Sequence, residues 1–203
     1  QLLTTKGTIA DGPLAGEEGY DLPVKTCTMW APAITVARFK QFYLPAVASR
    51  TGGIGRFALF GLTDHTEQGD TCANIYHKSL LYLVSNSFED EPHIPVLKPN
   101  GTPILGMEKF VHDRFPGTAD PDVAALFAGR NPKSDLVLAP NARPPGSIDA
   151  STSQHHGGFD DDGPTVLATL RRIAPDAALP QRVSFPRSAS SVRTARRALP
   201  TPR

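Results

Sequence analysis

The chain has 203 residues, 39% of them hydrophobic and 20% charged, and its 21 Lys and Arg against 20 Asp and Glu leave a formal net charge of +1. That is enough for one globular core, and the near-neutral balance excludes a polyanion binder driven by charge alone. No apolar run approaches the roughly 18 to 20 residues a membrane span needs, and no basic-then-apolar leader opens the chain. The first residue is Gln1 rather than Met, so the sequence reads as a processed chain or a fragment, with the cytoplasm as default compartment.

Residues 1 to 23 are rich in Gly, Thr and acids without a sustained period and read as a loop or truncated remnant. Val24 to Ala31 (VKTCTMWA) favours a strand, ended by Pro32. From Thr35 to Ser49 the side chains of Val36, Phe39, Phe42, Tyr43 and Val47 recur at helical spacing, and Pro45 should kink or end that helix. Arg56 to Leu62 (RFALFGL) is almost continuously apolar, as a strand covered on both faces of a parallel sheet must be. An acidic run, Thr63 to Asp70, reads as a loop. It leads into Thr71 to Phe88, whose Ile75, Leu80, Leu83 and Val84 make the clearest amphipathic helix of the chain.

Pro92 to Pro103 reads as a surface excursion, followed by short helical pieces around Met107 to Val111 and Asp122 to Ala128. Asp135 to Ala139 (DLVLA) is a further strand. Pro164 suits a helix start, and Val166, Leu167, Leu170 and Ile173 carry that helix to about Ala174. Residues 177 to 203 hold six arginines and no acids, and are expected to form a disordered basic tail rather than a nucleic-acid arm. Cys27 and Cys72 have no metal-ligand spacing and read as buried thiols, with a disulfide left open. Trp30, Tyr43 and Phe60 read as core. Strand, acidic segment and helix in succession predict the α/β class.

In open α/β sheets reactive groups collect on the segments at the carboxyl ends of the strands, where these converge over one edge. Two segments here carry such groups. The first follows Leu62 and presents Asp64, with Glu67 and Asp70 as the other acids; the alternative role of those two is charge compensation at the start of the next helix. The second is Ser153-Gln154-His155-His156-Gly157-Gly158-Phe159-Asp160-Asp161-Asp162-Gly163. A histidine on a glycine-rich loop with a helix behind it suits a general base reaching into a cleft. An acid followed roughly ninety residues later by a histidine also matches the last two members of the chain order Ser, Asp, His. The Asp160 to Asp162 run reads as a helix-leading acidic cluster rather than a catalytic acid or a metal cage.

Taken together, KTCTMWAPA, RFALFGLTDHTEQGD, NIYHKSLLYLVSNSFED, PILGMEKF and HHGGFDDD resemble the C-terminal half of an α/β-hydrolase of the serine esterase or lipase type, over about residues 24 to 174. The resemblance implies the C-terminal portion of a doubly wound, mostly parallel sheet, left incomplete with an unpaired edge. It makes Asp64 the residue that orients the imidazole and His156 the general base, with His155 second. It further implies a small acyl substrate, no cofactor or metal and no specific nucleic acid; the oligomeric state stays open. The family's nucleophile elbow, G-x-S-x-G, occurs nowhere in the 203 residues. Ser79 and Ser85 fall inside the amphipathic helix and read as packing hydroxyls. The expectation is therefore a partial hydrolase, inactive by itself, whose complete form cleaves ester or related acyl bonds. The alternatives are a non-enzymatic partner-binding module and a metal site built from His155, His156 and Asp160 to Asp162.

Overall fold

The computed structural model describes residues 2–49, 53–70, 78–88, 101–129, 133–180 and 182–183. Residues before the first long strand are more ordered than composition suggests. Instead of a loop they form a hairpin, β1 (Lys6–Thr8) antiparallel to β2 (Glu18–Tyr20), with the Thr8 hydroxyl donating to Glu18 Oε1 at 2.5 Å and Ile9 buried behind it.

Three of the apolar runs become one parallel sheet, β3 (Val24–Trp30), β4 (Ile54–Leu62) and β5 (Ser134–Ala139), in the order β3-β4-β5. Its register sets Trp30 opposite Phe60 and Phe60 opposite Val137. The central strand β4 is paired on both sides, and Phe57, Ala58, Leu59, Phe60 and Leu62 are each at most 1% exposed. Burying each of its large apolar side chains contributes about 2 kcal/mol, which is why Phe57 to Leu62 is apolar without alternation.

Helices cover both faces of β4. Successive strand residues point to opposite sides, so Phe57 and Phe60 face opposite ways. The Phe57 ring meets Phe39 of α1 (Val36–Phe42) at 5.5 Å and Phe127 of a later helix, Pro121–Phe127, at 6.1 Å. On the other face, the guanidinium of Arg172 lies 5.2 Å from the Phe60 ring, carried by the C-terminal helix Gly163–Ile173. The break expected at Pro45 separates α1 from α2 (Leu44–Ala48); Pro45 lies in the first turn of α2, where its missing N–H costs nothing.

The amphipathic helix expected over 71–88 is shorter. Residues 71–77, with Cys72, lie outside the described residues, and a single α-turn, Leu80–Leu83, runs on as a π-helical turn to Phe88. Ser79 is therefore the N-cap of that turn and not an interior residue. Cys27 is a half-buried free thiol whose pKa burial pushes up. Phe60 is core and Tyr43 stacks 6.0 Å from Phe39, but Trp30 is 37% exposed, its ring N–H donating to Thr169 Oγ1 at 3.2 Å. Most of the basic tail lies outside the described residues; its beginning folds back, so that a Cβ at Gly163 would stand 2.2 Å from the Val183 carbonyl oxygen. No helix among the described residues is long and apolar enough to cross a membrane.

Across the carboxyl ends of the strands runs the segment 104–108. Ile104 bridges to Thr35, Leu105 N donates to Ile34 O, Gly106 N to Pro32 O, and Met107 bridges to Leu62. Gly106 makes this approach possible, because a Cβ there would sit 2.7 Å from Leu81 Cδ1 and from the Pro32 carbonyl. This strap closes over the sheet edge where the candidate acids begin.

Candidate functional site

The acidic run after β4 is a helix and not a loop. Thr63, extended at φ −61° and ψ 149°, accepts from Thr66 N and starts α3 (Asp64–Gly69) directly at the strand end. Of the three acids of this segment, Asp64 and Glu67 lie within α3 and Asp70 is its extended C-cap. Each has a different environment.

Asp64, the first candidate, is tied into a hydrogen-bonded cluster. Its Oδ1 accepts from the Tyr82 hydroxyl at 2.7 Å and its Oδ2 from Gln68 Nε2 at 2.5 Å, while its backbone N donates to Glu108 Oε2 at 2.7 Å. Glu108 opens α5 (Glu108–Val111), is buried, and is paired with Arg114. Burial and the bond to Asp64 push the Tyr82 hydroxyl pKa up, and the ammonium groups of Lys109 and Lys78 stand 4.5 and 4.8 Å from its ring. Lys109 has its pKa pulled down by burial, against the opposing charge of Asp64. Sequence reasoning had no signal for Tyr82 and Glu108, which meet Asp64 only because α4 (Leu80–Leu83) and the strap fold over α3, or for Arg114, which pairs with Glu108.

Glu67 is wholly buried. Neither of its carboxyl oxygens has a hydrogen bond of good geometry. Burial pushes the carboxyl up to about 7, the nearby Ser79 hydroxyl opposes the rise, and the charges of Asp70 and Asp64 add to it. Helical periodicity could have flagged this inward position had the run been read as a helix.

Asp70 is the acid that reaches the histidine loop. Its Oδ1 stands 3.1 Å from His155 Nδ1, and its Oδ2 accepts from the His156 backbone N at 3.1 Å. A carboxylate only accepts, so His155 donates from Nδ1 and keeps Nε2 as the basic nitrogen. The Asp70 side chain is 9% exposed and that of His155 72%: a fixed acid holds an open ring. His156, by contrast, is turned inward, with a buried Nδ1 that has no hydrogen-bond partner among the described residues, and burial pulls its pKa below the ordinary histidine value despite the Asp70 charge. The geometry thus brings Asp70 to His155, and gives Asp64 to Tyr82 and Gln68.

The loop holding both histidines makes one 3₁₀ turn, His156–Gly158, and is pinned by Phe159, which is 2% exposed in the core. Ser153 donates to His155 O at 3.1 Å, Ser85 donates to Thr102 O at 2.6 Å, and the Ser79 hydroxyl accepts from Tyr82 N at 3.4 Å; all three serines are buried. Of the acidic triplet, Asp160 and Asp161 are exposed and Asp162 is the N-cap of the C-terminal helix, as a helix-leading acid should be. Among the described residues no group of three or more His, Cys, Asp or Glu side chains is arranged to hold a metal ion. Family models, curated proteins and solved structures yield no match to the chain.

Proposed function

We propose that the chain carries the acid and base of a hydrolase of the α/β type, acting on ester or related acyl bonds, on an incomplete doubly wound sheet. The observation that carries the reading is the 3.1 Å contact between Asp70 Oδ1 and His155 Nδ1, made between segments that leave the carboxyl ends of the neighbouring parallel strands β4 and β5. His155 takes the role of general base and Asp70 that of the orienting carboxylate.

The chemistry follows from the tautomer. With the proton held on Nδ1 by Asp70, the exposed Nε2 can take a proton from an attacking hydroxyl and return it to the leaving group, and the imidazolium formed in between is stabilised by the nearby carboxylate. The nucleophile is not one of the buried serines, whose hydroxyls are engaged inside the fold. In the complete enzyme it comes from a strand–Ser–helix elbow, and this chain by itself does not turn over substrate.

The test is p-nitrophenyl butyrate hydrolysis by the product of the whole reading frame that encodes this chain. His155→Gln and Asp70→Asn should each lower kcat by about 10⁴-fold, with little change in KM. Wild-type rates in His155→Gln would overturn the reading, as would the absence of an in-frame G-x-S-x-G from that reading frame.

A further inference from the structure

Building on the Asp70–His155 pair, we propose that Asp162 is a positioning residue for the imidazole: its carboxylate closes the neck of the 152–162 loop and so fixes where His155 presents its ring to Asp70. The Asp162 carboxylate stands between the two ends of that loop. Its Oδ2 accepts from Thr152 N at 2.9 Å, from Thr165 N at 3.1 Å and from the Thr165 hydroxyl at 2.6 Å, and its Oδ1 accepts from the Thr152 hydroxyl. Two of these bonds go to the residue where the loop departs and two to the helix where it returns.

Helix capping alone would need only the contact to Thr165 N. The two bonds to Thr152 do nothing for the helix; they tie together the ends of an eleven-residue excursion that is otherwise held by Phe159, by Asp70 at the His155 ring and the His156 backbone N, and by internal contacts of His155 O with Ser153 Oγ and Gly158 N. Behind the neck the Ser151 and Thr165 hydroxyls are joined at 2.7 Å in a buried site, so that the departing chain is registered against the first turn of the helix. His155 follows Thr152 by three residues, and its ring is largely exposed, with few packing contacts to orient it. Opening the neck lets the loop ends separate, so that the exposed His155 ring loses its fixed position against Asp70.

The experiment reads the His155 ring directly, by long-range ¹H–¹⁵N correlation on the 203-residue chain at about pH 8.5, where an ordinary imidazole is neutral, with His155→Gln identifying the signal. In the wild-type protein His155 should show the Nδ1–H tautomer. Asp162→Ala should lose that signature in favour of the Nε2–H form that imidazole prefers in water. Asp162→Asn should restore it, because its amide keeps one acceptor for Thr165 and offers a donor to the Thr152 hydroxyl. Thr152→Val, which leaves the helix cap intact, should move the tautomer balance the same way as Asp162→Ala by a smaller amount, and decides the matter if Asp162→Ala does not fold. An unchanged Nδ1–H signature in Asp162→Ala, or in Thr152→Val, would reduce Asp162 to a helix cap. Asp70→Asn separates the two levels: loss of the signature there with retention in the Asp162 variants sinks only the positioning role, whereas retention in Asp70→Asn sinks the acid–base pair itself.

Discussion

The two ends of the parallel sheet bury charge in opposite ways. At the amino ends, Arg172 is 4% exposed yet fully engaged: it meets Asp135 Oδ2 at 3.2 and 3.3 Å, donates to the carbonyls of Ile148 and Ala168, and shares Asp135 with Arg56 at 3.0 Å. At the carboxyl ends, Glu67 is equally buried and unpaired. Desolvation acts on both, pulling the Arg172 pKa down and pushing that of Glu67 up. The fold supplies Arg172 with opposite charge and carbonyls in compensation; at the carboxyl ends it does the same for the buried Glu108, paired with Arg114, but not for Glu67. A buried charge held by opposite charge and carbonyls adds to cohesion, whereas a buried carboxyl without them responds by shifting its protonation.

The largest break in this contrast comes from Arg172. Arg172→Ala strands the Ile148 carbonyl, removes a cation from Asp135 and leaves a gap over Phe60, and should lower the urea-unfolding free energy by about 3 to 5 kcal/mol. A loss under 1 kcal/mol would mean that Arg56 alone satisfies Asp135 and that the amino-end network is not cohesive.

Glu67→Gln should act in the reverse direction and depend on pH. The folded pKa of about 7 lies above the ordinary carboxyl value of 4.5. In acid both states hold the proton; between pH 4.5 and 7 the unfolded chain gives it up first, so the stability contributed by the neutral carboxyl is lost as pH rises through the folded value. Glu67→Gln removes that loss. It should match wild type at pH 4 and exceed it by about 3 kcal/mol at pH 8. Parallel stability curves for the two proteins between pH 4 and pH 8 would show that the carboxyl is compensated after all.

The smallest effect sharpens the comparison within the carboxyl end. Thr63→Ala deletes the cap of α3, whose bond to Thr66 N is 3.3 Å long, and should cost about 1 kcal/mol by thermal or urea unfolding. Because α3 carries Asp70, the His155 tautomer in this variant reports whether the helix start also governs the acid–base contact.

Local pattern carried far along this chain. The strands of the parallel sheet were legible in two ways: VKTCTMW and DLVLA by their β-favouring residues, and RFALFGL by its nearly unbroken apolar run, which burial of the central strand on both faces demands. Pro45 marked a break in the helix and Pro164 a helix start, both through the missing N–H. The hairpin of β1 and β2 was not legible, since Gly19 and its neighbours show no alternation; a Cβ at Gly19 would strike the Thr5 carbonyl at 2.2 Å, so close backbone approach and not side-chain packing defines it. Trp30 was misjudged because nothing in its own strand reports which neighbours leave one flank open.

For the site, the sequence by itself determined the inventory: three acids after one strand, two histidines on a glycine-bearing loop after the next, and a topology that sends both segments to the same edge of the sheet. Which acid meets which histidine was decided only in three dimensions. Asp64, Glu67 and Asp70 are chemically equivalent in the sequence. They diverge because one turn of helix spreads them over different neighbours, Tyr82 for the first, the core for the second and the histidine loop for the third. His155 and His156 likewise differ by a single position, and the loop turns one ring outward to Asp70 and the other inward. Composition and spacing select the kinds of group and their edge of the sheet, whereas distance and desolvation, which assign their roles, depend on contacts between segments far apart in the chain.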